Sequence, residues 1–378
     1  MASGKRGDDQ DWLVLLRAPG VGPIRYQRLI KTFGSPGQAQ GASRAALEQS
    51  GLTAAAIDWL QRPDPDILAR DLDWLQQPGN HLIRFGDACY PALLAQIPDP
   101  PPLLFVHGDP DLLSQPQLAI VGSRNPTSGG QETARDFARY LANRGLLITS
   151  GLAIGIDAAA HRGALDGGHT IAVAGTGPDR VYPAQHRDLA RQIAAQGALV
   201  SELPPGTSVR REHFPRRNRL ISGLAVGTLV VEAAERSGSL ITARLAAEQG
   251  REVFAIPGSI HNPLARGCHR LIREGAKLVD QASDILEELA PLLGSLLQAP
   301  APTGEAPAAA PNNSWDPDYQ LLLRCLGHDP RPPDDLIECS GLAADVVSSM
   351  LLMLELEGYV TPAPGGRFSR TGKPGPGD

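Results

Sequence analysis

Short apolar runs alternate with helical stretches through the middle of this chain, and this alternation constrains the fold more than any other feature. The apolar runs cover residues 118–121, 146–149, 170–174, 198–201, 228–231, 252–256 and 277–279, and helical patterns such as 131–144 and 157–165 fill most of the gaps. Short strands that are apolar throughout and separated by helices are typical of a parallel sheet buried on both faces. The pattern therefore predicts a doubly wound, Rossmann-like α/β domain over residues 81–290, with ligands bound in the turns that follow the strands.

Two smaller regions flank this α/β domain. Residues 1–80 carry apolar residues at helical spacing around a Gly20-Val21-Gly22-Pro23 turn, which predicts a helical domain of the SAM or helix-hairpin-helix type. The turn fits either a phosphate-docking helix start or a plain packed turn. Residues 319–365 show three helical stretches followed by Tyr359-Val360-Thr361, an order that suits a winged helix. Residues 291–318 contain six prolines and predict a linker, and residues 366–378 predict a disordered tail.

Composition narrows the class of protein. The 378 residues are 42% hydrophobic, which is ordinary for a soluble protein, and no apolar run approaches the roughly 18 residues that span a bilayer. The N-terminus lacks the pattern of a secretory signal, so we expect a cytoplasmic protein without membrane insertion. The four cysteines, Cys89, Cys268, Cys325 and Cys339, form no Cys-x-x-Cys pair, and we expect buried or incidental thiols rather than zinc ligands or a disulfide framework.

The formal charge of −6 hides a strong asymmetry. Residues 205–273 hold eleven arginines and five glutamates, so this segment carries +6 and the remainder −12. An acidic total counts against nucleic-acid binding, yet the arginine cluster provides the positive surface that a polyanion needs. Residues 332–366 contain six acids and no lysine or arginine. We therefore expect the winged helix to contact protein or to be structural rather than to read DNA.

Two glycine-serine turns of the α/β domain predict anion sites. Gly122-Ser123-Arg124 follows the first central strand and precedes a helix start at Thr127-Ser128-Gly129-Gly130, and Ser237-Gly238-Ser239 opens a later helix. Such turns let backbone amides converge on an anion, and a guanidinium adds bidentate phosphate contact. Neither a Gly-x-x-x-x-Gly-Lys phosphate loop nor a Gly-x-Gly-x-x-Gly fingerprint is present, so no nucleotide cofactor is expected.

Between these turns, the stretch Phe214-Pro215-Arg216-Arg217-Asn218-Arg219 combines guanidinium groups with an aromatic ring. This combination suits a single-stranded polynucleotide, whose phosphates bind arginine and whose unpaired bases stack on rings. Phe214 is equally compatible with a core position. Asp157 and His161 lie one helical turn apart, and a structural hydrogen bond is preferred there over acid-base chemistry. We expect no catalytic residues and no metal site.

In their order along the chain, these motifs closely resemble the DNA processing protein A family (DprA, also called Smf). The matching stretches are Val121-Gly122-Ser123-Arg124, residues 150–161, Phe214-Pro215-Arg216-Arg217-Asn218-Arg219, residues 237–243, Pro257-Gly258-Ser259 and residues 271–276. The resemblance implies a bacterial protein of natural transformation, or competence, that binds and protects incoming single-stranded DNA, helps load the RecA recombinase for DNA recombination, and forms a homodimer.

The resemblance also implies which groups bind the strand: Gly122, Ser123, Arg124, Phe214, Arg217, Asn218, Arg219, Ser237, Gly238 and Ser239. Two positions depart from the family's pattern. Ile154 stands where an arginine is common, which removes a possible basic contact, and Pro178 stands where an aliphatic residue is more usual.

Two other functions remain open. Nucleotide phosphoribohydrolases share this sheet architecture, and Gly227, Thr228 and Glu232 echo their phosphate-binding and catalytic pattern, although the leading Pro-Gly-Gly is missing. A scaffold that touches only proteins through its acidic winged helix is the third interpretation, and the +6 segment speaks against it.

Overall fold

The structure is a computed structural model that describes residues 2–293, 317–327, 329–371 and 373. Its helices are α1 (Ala2–Arg17), α2 (Pro23–Phe33), α3 (Pro36–Gln40), α4 (Arg44–Gln49), α5 (Ala54–Gln61), α6 (Pro65–Gln76), α7 (Ala92–Ala95), α8 (Ser128–Asn143), α9 (Ile156–Gly167), α10 (Arg187–Gln196), α11 (His213–Leu224), α12 (Gly238–Glu248), α13 (Arg266–Arg273), α14 (Ala282–Leu293), α15 (Pro317–Leu326), α16 (Pro333–Ser340) and α17 (Ala344–Leu356). Its strands are β1 (Asn80–Arg84), β2 (Leu103–Gly108), β3 (Gln117–Gly122), β4 (Leu147–Ser150), β5 (Thr170–Val173), β6 (Ala198–Ser201), β7 (Gly227–Val231), β8 (Glu252–Ala255), β9 (Lys277–Leu278), β10 (Val360–Ala363) and β11 (Arg367–Arg370).

Strands β1 to β9 form one sheet in the order β1-β2-β6-β5-β4-β3-β7-β8-β9. The seven strands from β6 to β9 in this order are parallel, and β2 and β1 extend them antiparallel at one edge. The predicted strands and the doubly wound fold are confirmed. Strands β1 and β2 were not among the predicted strands. The edge strand β1 is mostly polar and partly exposed, whereas β2 is apolar and buried over residues 103–106.

Each central strand is buried on both faces. Successive side chains point to opposite faces of the sheet, so alternate residues of one strand contact different helices. In β3, Leu118 and Ile120 pack with α8, α9 and α14, whereas Ala119 and Val121 pack with α11 and α12. After β3 the chain moves outward on one side through β4, β5 and β6, then returns to β7 on the other side of β3. This reversal creates a crevice at the carboxyl ends of β3 and β7, which is where ligands of such folds bind.

The N-terminal region is helical, as predicted. Helices α1 to α6 enclose a core of their own that includes Leu13, Leu29 and Ile57, and that core also contacts Leu103 and Phe105 of β2. The helical region therefore packs against the antiparallel edge of the sheet.

The C-terminal region contains α15, α16, α17 and the hairpin of β10 and β11, as a winged helix requires. Strand β11 lies inside the predicted tail of residues 366–378, so the hairpin extends past the predicted boundary at residue 365. Pro317 and Asp318 belong to α15, and residues 291–293 belong to α14, so both ends of the predicted linker are helical. Residues 294–316 and 374–378 lie outside the described residues.

The cysteines of this region differ from the expectation of free thiols. Cys325 of α15 and Cys339 of α16 form a disulfide, with Cα atoms 5.8 Å apart, whereas Cys89 and Cys268 are free. The two helices bring the thiols together across 14 positions, a spacing that carries no signature in the sequence.

Among the described residues, no single helix is long and apolar enough to cross a bilayer. Helices Pro333–Ser340 and Ala344–Glu355 together have the length and composition of a span, but they are bent by 114° at the break between them.

Candidate functional site

A cavity of about 700 Å³, here called the first cavity, opens at the crevice between β3 and β7. Nine of the ten predicted strand-binding residues line it: Gly122, Ser123, Arg124, Phe214, Arg217, Asn218, Ser237, Gly238 and Ser239. These residues come from three segments that lie far apart in the sequence. The turn after β3, helix α11 and the start of α12 therefore form one concave surface.

Close backbone packing shapes the turn after β3. A Cβ on Gly122 would lie 1.9 Å from the carbonyl oxygen of Val231, and one on Gly155 would lie 2.4 Å from that of Ser123. Gly155 also has a φ of +82°, which favours glycine. The Ser123 hydroxyl accepts a hydrogen bond from the amide of Asn125 at 3.1 Å. These contacts hold Arg124 at the rim of the cavity.

Three exposed arginines line the first cavity. Arg124 was predicted from the sequence, whereas Arg211 and Arg236 were not. Within the described residues none of the three forms a salt bridge, so their charges face solvent. Arg211 and Arg236 both lie in the +6 segment. In the sequence, only their position next to the predicted motifs could have indicated that they belong to the site.

The ring of Phe214 is accessible from the cavity rather than part of the hydrophobic core. Its ring is half-buried, lines the cavity and lies outside the hydrophobic core clusters. The ring centroid is 5.8 Å from the guanidinium carbon of Arg124 and 5.6 Å from the ring of Tyr182, which is 50% exposed. A Cβ on Gly175 would lie 3.2 Å from the ring, so a small residue is needed beside it. Two neighbouring aromatic rings thus face the cavity, and Tyr182 carried no sequence signal.

Arg217 is buried at the base of the cavity rather than exposed at its rim. Its Nη1 donates hydrogen bonds to the carbonyl oxygens of Gly151 and Val173, the latter at 3.1 Å. Burial lowers the pKa of Arg217 to about 10, with the nearby Asp157 carboxyl opposing the shift. The guanidinium therefore stays charged at neutral pH, and the Asp157 carboxyl, which lines the same cavity, offsets part of this charge. Gly151 makes room for it, because a Cβ there would lie 2.4 Å from Nη1.

Arg219 is the one predicted strand-binding residue that does not line the first cavity. Its side chain is 8% exposed, and its Nη2 bonds to the carboxylate of Glu202, which is 4% exposed. Nη1 donates to the carbonyl oxygen of Asp99 at 2.6 Å, and Nε lies 3.2 Å from the Asp99 carboxylate. Arg216 bonds to the same Glu202 oxygen at 2.9 Å. The acids that pair these arginines come from distant segments, so the arginine run looked unpaired in the sequence.

The start of α12 has the geometry predicted for an anion nest. Ser237 is the N-cap residue, and its hydroxyl lies 2.7 Å from the hydroxyl of Ser239 and 3.3 Å from the Ser239 amide. Gly238 is exposed, and nothing lies within 4 Å of where its Cβ would be. The helix start is therefore open to the cavity at the end where the helix dipole favours negative charge.

The start of α8 differs from the prediction, because the protein supplies its own anion there. The Glu232 carboxylate accepts hydrogen bonds from the backbone amide and hydroxyl of Thr127, at 2.8 and 2.5 Å. A Cβ on Gly130 would lie 2.5 Å from that carboxyl group, so the glycine lets the carboxylate approach. The small residues at this helix start accommodate Glu232 rather than a ligand.

Asp157 and His161 are structural, as preferred from the sequence. The Asp157 carboxylate accepts the amides of Gly151 and Ala153 at 3.1 and 3.3 Å, and burial raises its pKa. His161 is fully buried, and its Nδ1 lies 2.8 Å from the Thr170 hydroxyl. Burial lowers the pKa of His161 to about 3, aided by the charges of His186 and Arg217. Asp157 therefore holds the loop before α9 in place, whereas His161 joins α9 to β5.

Family models match the chain in three consecutive regions. The model described as DNA recombination-mediator protein A matches residues 81–290, which is more than half of the chain. A DprA-like N-terminal HHH domain matches residues 6–59, and a DprA winged helix domain matches residues 306–366. The order of the three models follows the order of the helical, α/β and winged-helix regions.

Individual relatives agree with the family models. Protein Smf of Escherichia coli is 45% identical over 330 residues, which cover 85% of each chain. DNA processing protein DprA of Streptococcus pneumoniae is 51% identical over 203 residues, covering 53% of this chain and 72% of the relative. Its X-ray structure superposes with a TM-score of 0.67 at 40% identity, over 74% of this chain and 97% of that one. A Helicobacter pylori structure described by its single-stranded DNA binding mode superposes with a TM-score of 0.51 at 29% identity, over 56% and 96%.

Proposed function

Because the chain belongs to the DNA recombination-mediator protein A family, we propose that it binds single-stranded DNA in the first cavity. One observation carries the proposal: nine residues predicted from three distant segments line a single cavity. The unpaired arginines 124, 211 and 236, the buried charge of Arg217 and the open start of α12 suit a string of phosphates.

The aromatic rings favour an unpaired strand over a duplex. Phe214 and Tyr182 lie with ring centroids 5.6 Å apart at the cavity. A base must leave its duplex stack before it can stack on a protein ring, and such stacking contributes roughly 1–3 kcal/mol per base. The cavity contains both aromatic rings and positive charges. A flexible single strand can gain binding energy from both, whereas a stiff duplex can gain it only from the charges.

The cellular role that we propose is the one implied by the family resemblance. The protein would act in the cytoplasm during natural transformation, protect incoming single-stranded DNA, and help load the RecA recombinase as a homodimer. A strand whose phosphates lie against arginines and whose bases lie on rings is shielded from nucleases, which supports the protective part. The DNA processing names of the relatives from Streptococcus and Bacillus support the wider role.

A fluorescence anisotropy titration tests the proposal. We expect the purified protein to prefer a labelled oligothymidine over a duplex of equal length at fixed ionic strength, with log affinity falling as log salt rises. Arg124→Ala should weaken single-strand binding about tenfold without unfolding the protein, because Arg124 is exposed. The matched control is Arg139→Ala, an exposed arginine of α8 that pairs with Asp136 outside the first cavity. Equal binding of single strand and duplex would contradict the proposal.

Phe214→Ala tests the aromatic part separately. We expect it to lower affinity by about one stacking contribution, roughly 1–3 kcal/mol, with little change in the salt dependence, since the ring carries no charge. Arg124→Ala should change the salt dependence instead. A change in salt dependence for Phe214→Ala would show that the ring only supports the nearby arginines.

A phosphoribohydrolase activity is the alternative that the fold family raises. The Glu232 carboxylate is hydrogen-bonded to Thr127 and does not line the first cavity. Residues 221–224, which stand where those enzymes have part of their phosphate loop, lie in α11, where Gly223 packs against Leu94 and Ile97. We therefore propose a non-catalytic binding protein. Release of ribose 5-phosphate from nucleoside monophosphates, abolished by Glu232→Gln, would contradict this.

A further inference from the structure

Two further cavities flank the first one, and they differ in charge. The second cavity, of about 660 Å³, lies between α10 and the N-terminal helical region and is lined by Arg180, Arg187 and Arg191. The third cavity, of about 490 Å³, lies between α8 and the winged helix. Its charged lining residues are Glu132, Asp136, Glu232, Asp329 and Arg370. A strand that leaves the first cavity therefore meets arginines on one side and mainly carboxylates on the other.

The first and second cavities share their walls. In the loop after β5, Tyr182 lines the first cavity, and its neighbours Val181 and Arg180 line the second. In the loop after β6, Arg211 lines the first and Val209 lines the second. The two cavities thus adjoin at the loops that follow β5 and β6, and the second extends from there along α10 to His107 and Leu199, at the amino end of β6.

The acids near the second cavity leave its positive charge available. Asp179 lines the cavity, but it accepts the Gly206 amide at 2.8 Å and lies 3.6 Å from Arg180. Asp188 pairs with Arg191 at 2.6 Å, with both side chains more than three-quarters exposed. Exposed salt bridges contribute roughly 0–1 kcal/mol to stability, so a DNA phosphate can replace Asp188 as the partner of Arg191. Arg187 forms no salt bridge within the described part of the chain.

We propose that bound single-stranded DNA continues from the first cavity past Tyr182 and places its flanking phosphates on Arg180, Arg187 and Arg191. This inference rests on the proposed function and adds a direction to it. The exposed ring of Tyr182 stands at the crossing point, where it contacts a base between the two sets of arginines. The carboxylates of the third cavity repel the strand from the opposite direction.

The test compares oligonucleotide lengths. Single-strand sites cover roughly 4–16 nucleotides, so labelled oligothymidines of about six and about 25 nucleotides sample the first cavity alone and the whole path. The test variant replaces Arg180, Arg187 and Arg191 by alanine. The control replaces Arg135, Arg139 and Arg162, which are exposed residues of α8 and α9 outside the three cavities.

We expect the test variant to bind the short oligonucleotide within about twofold of the unaltered protein and the long one at least about tenfold more weakly. Its log–log salt slope for the long oligonucleotide should be smaller by about 2, since each lost single-strand phosphate contact removes about 0.7. The control should match the unaltered protein. Equal affinities of test and control variants for the long oligonucleotide would overturn the extended path and leave the first cavity as the site. No binding of either oligonucleotide by the unaltered protein would overturn both proposals.

Discussion

The Glu232 carboxylate accepts two hydrogen bonds from Thr127, at 2.8 Å from the amide and 2.5 Å from the hydroxyl, although the residues are 105 positions apart. Glu232 follows β7 and Thr127 precedes α8, so this contact joins the two sides of the crevice. Glu232 also has a φ of +52°, a conformation that costs a non-glycine residue about 1–2 kcal/mol. The hydrogen bonds hold that backbone conformation in place.

Glu232→Gln is therefore expected to lower the free energy of unfolding by roughly 1–3 kcal/mol, because a charged acceptor of two hydrogen bonds is lost. Thr127→Val removes the hydroxyl bond to Glu232 and also the N-cap bond from the Gly130 amide, so it should be at least as destabilising, and the double variant should cost less than the sum of the two single variants. Urea unfolding of the four proteins measures the coupling. Fully additive effects would contradict a direct interaction.

Arg219→Ala and Arg124→Ala should have opposite consequences, although both replace an arginine of the predicted set. Removing Arg219 leaves the buried Glu202 carboxylate without its closest partner, which is expected to cost about 3–5 kcal/mol of stability. Removing the exposed Arg124 should change stability by less than about 0.5 kcal/mol. Thermal unfolding separates the two. An Arg219 variant that unfolds like the unaltered protein but has lost strand binding would restore Arg219 to the site.

The contrast within α11 shows how far the sequence could predict the site. The stretch was recognisable as arginine-rich with an aromatic, but which arginines face the cavity depends on where the helix begins. With α11 starting at His213, positions 214, 217, 218 and 221 share one face and line the first cavity. Arg216 and Arg219, three residues apart, share another face and both bond to Glu202.

The fold was more predictable than the site, for a physical reason. Buried parallel strands must be apolar throughout, so β3 to β8 are visible in the sequence. The partners of single polar groups are set by the tertiary structure, so neither Glu232 at α8 nor the Cys325–Cys339 disulfide carried a local signal.

The pH dependence of stability should include a contribution from His161. Its pKa is about 3 in the folded state and near the ordinary 6.5 when unfolded, so the unfolded state binds the extra proton between these values. Its contribution is complete above about pH 6.5 and is lost as the pH falls towards 3, by up to about 1.4 kcal/mol per pH unit.

We therefore expect the stability difference between the unaltered protein and His161→Asn to shrink as the pH is lowered from 7 to 5. Denaturant unfolding at several pH values measures this, with the exposed His169→Asn as the control. A difference that stays constant with pH would show that His161 is not held neutral in the folded protein.

Two glycines of the first cavity provide a final test, because one is needed for packing and the other is open. Gly122→Ala places a methyl group 1.9 Å from the Val231 carbonyl oxygen and 2.7 Å from Ile156, so it should lower the free energy of unfolding by at least about 3 kcal/mol. Gly238→Ala meets nothing within 4 Å and should leave the fold intact or stabilise α12 by up to about 1 kcal/mol. If a phosphate approaches the start of α12, the added methyl group should nevertheless weaken single-strand binding several-fold. A folded Gly238→Ala protein with unchanged affinity would remove the α12 helix start from the path of the strand, while leaving Arg124 and Phe214 to be judged by their own variants.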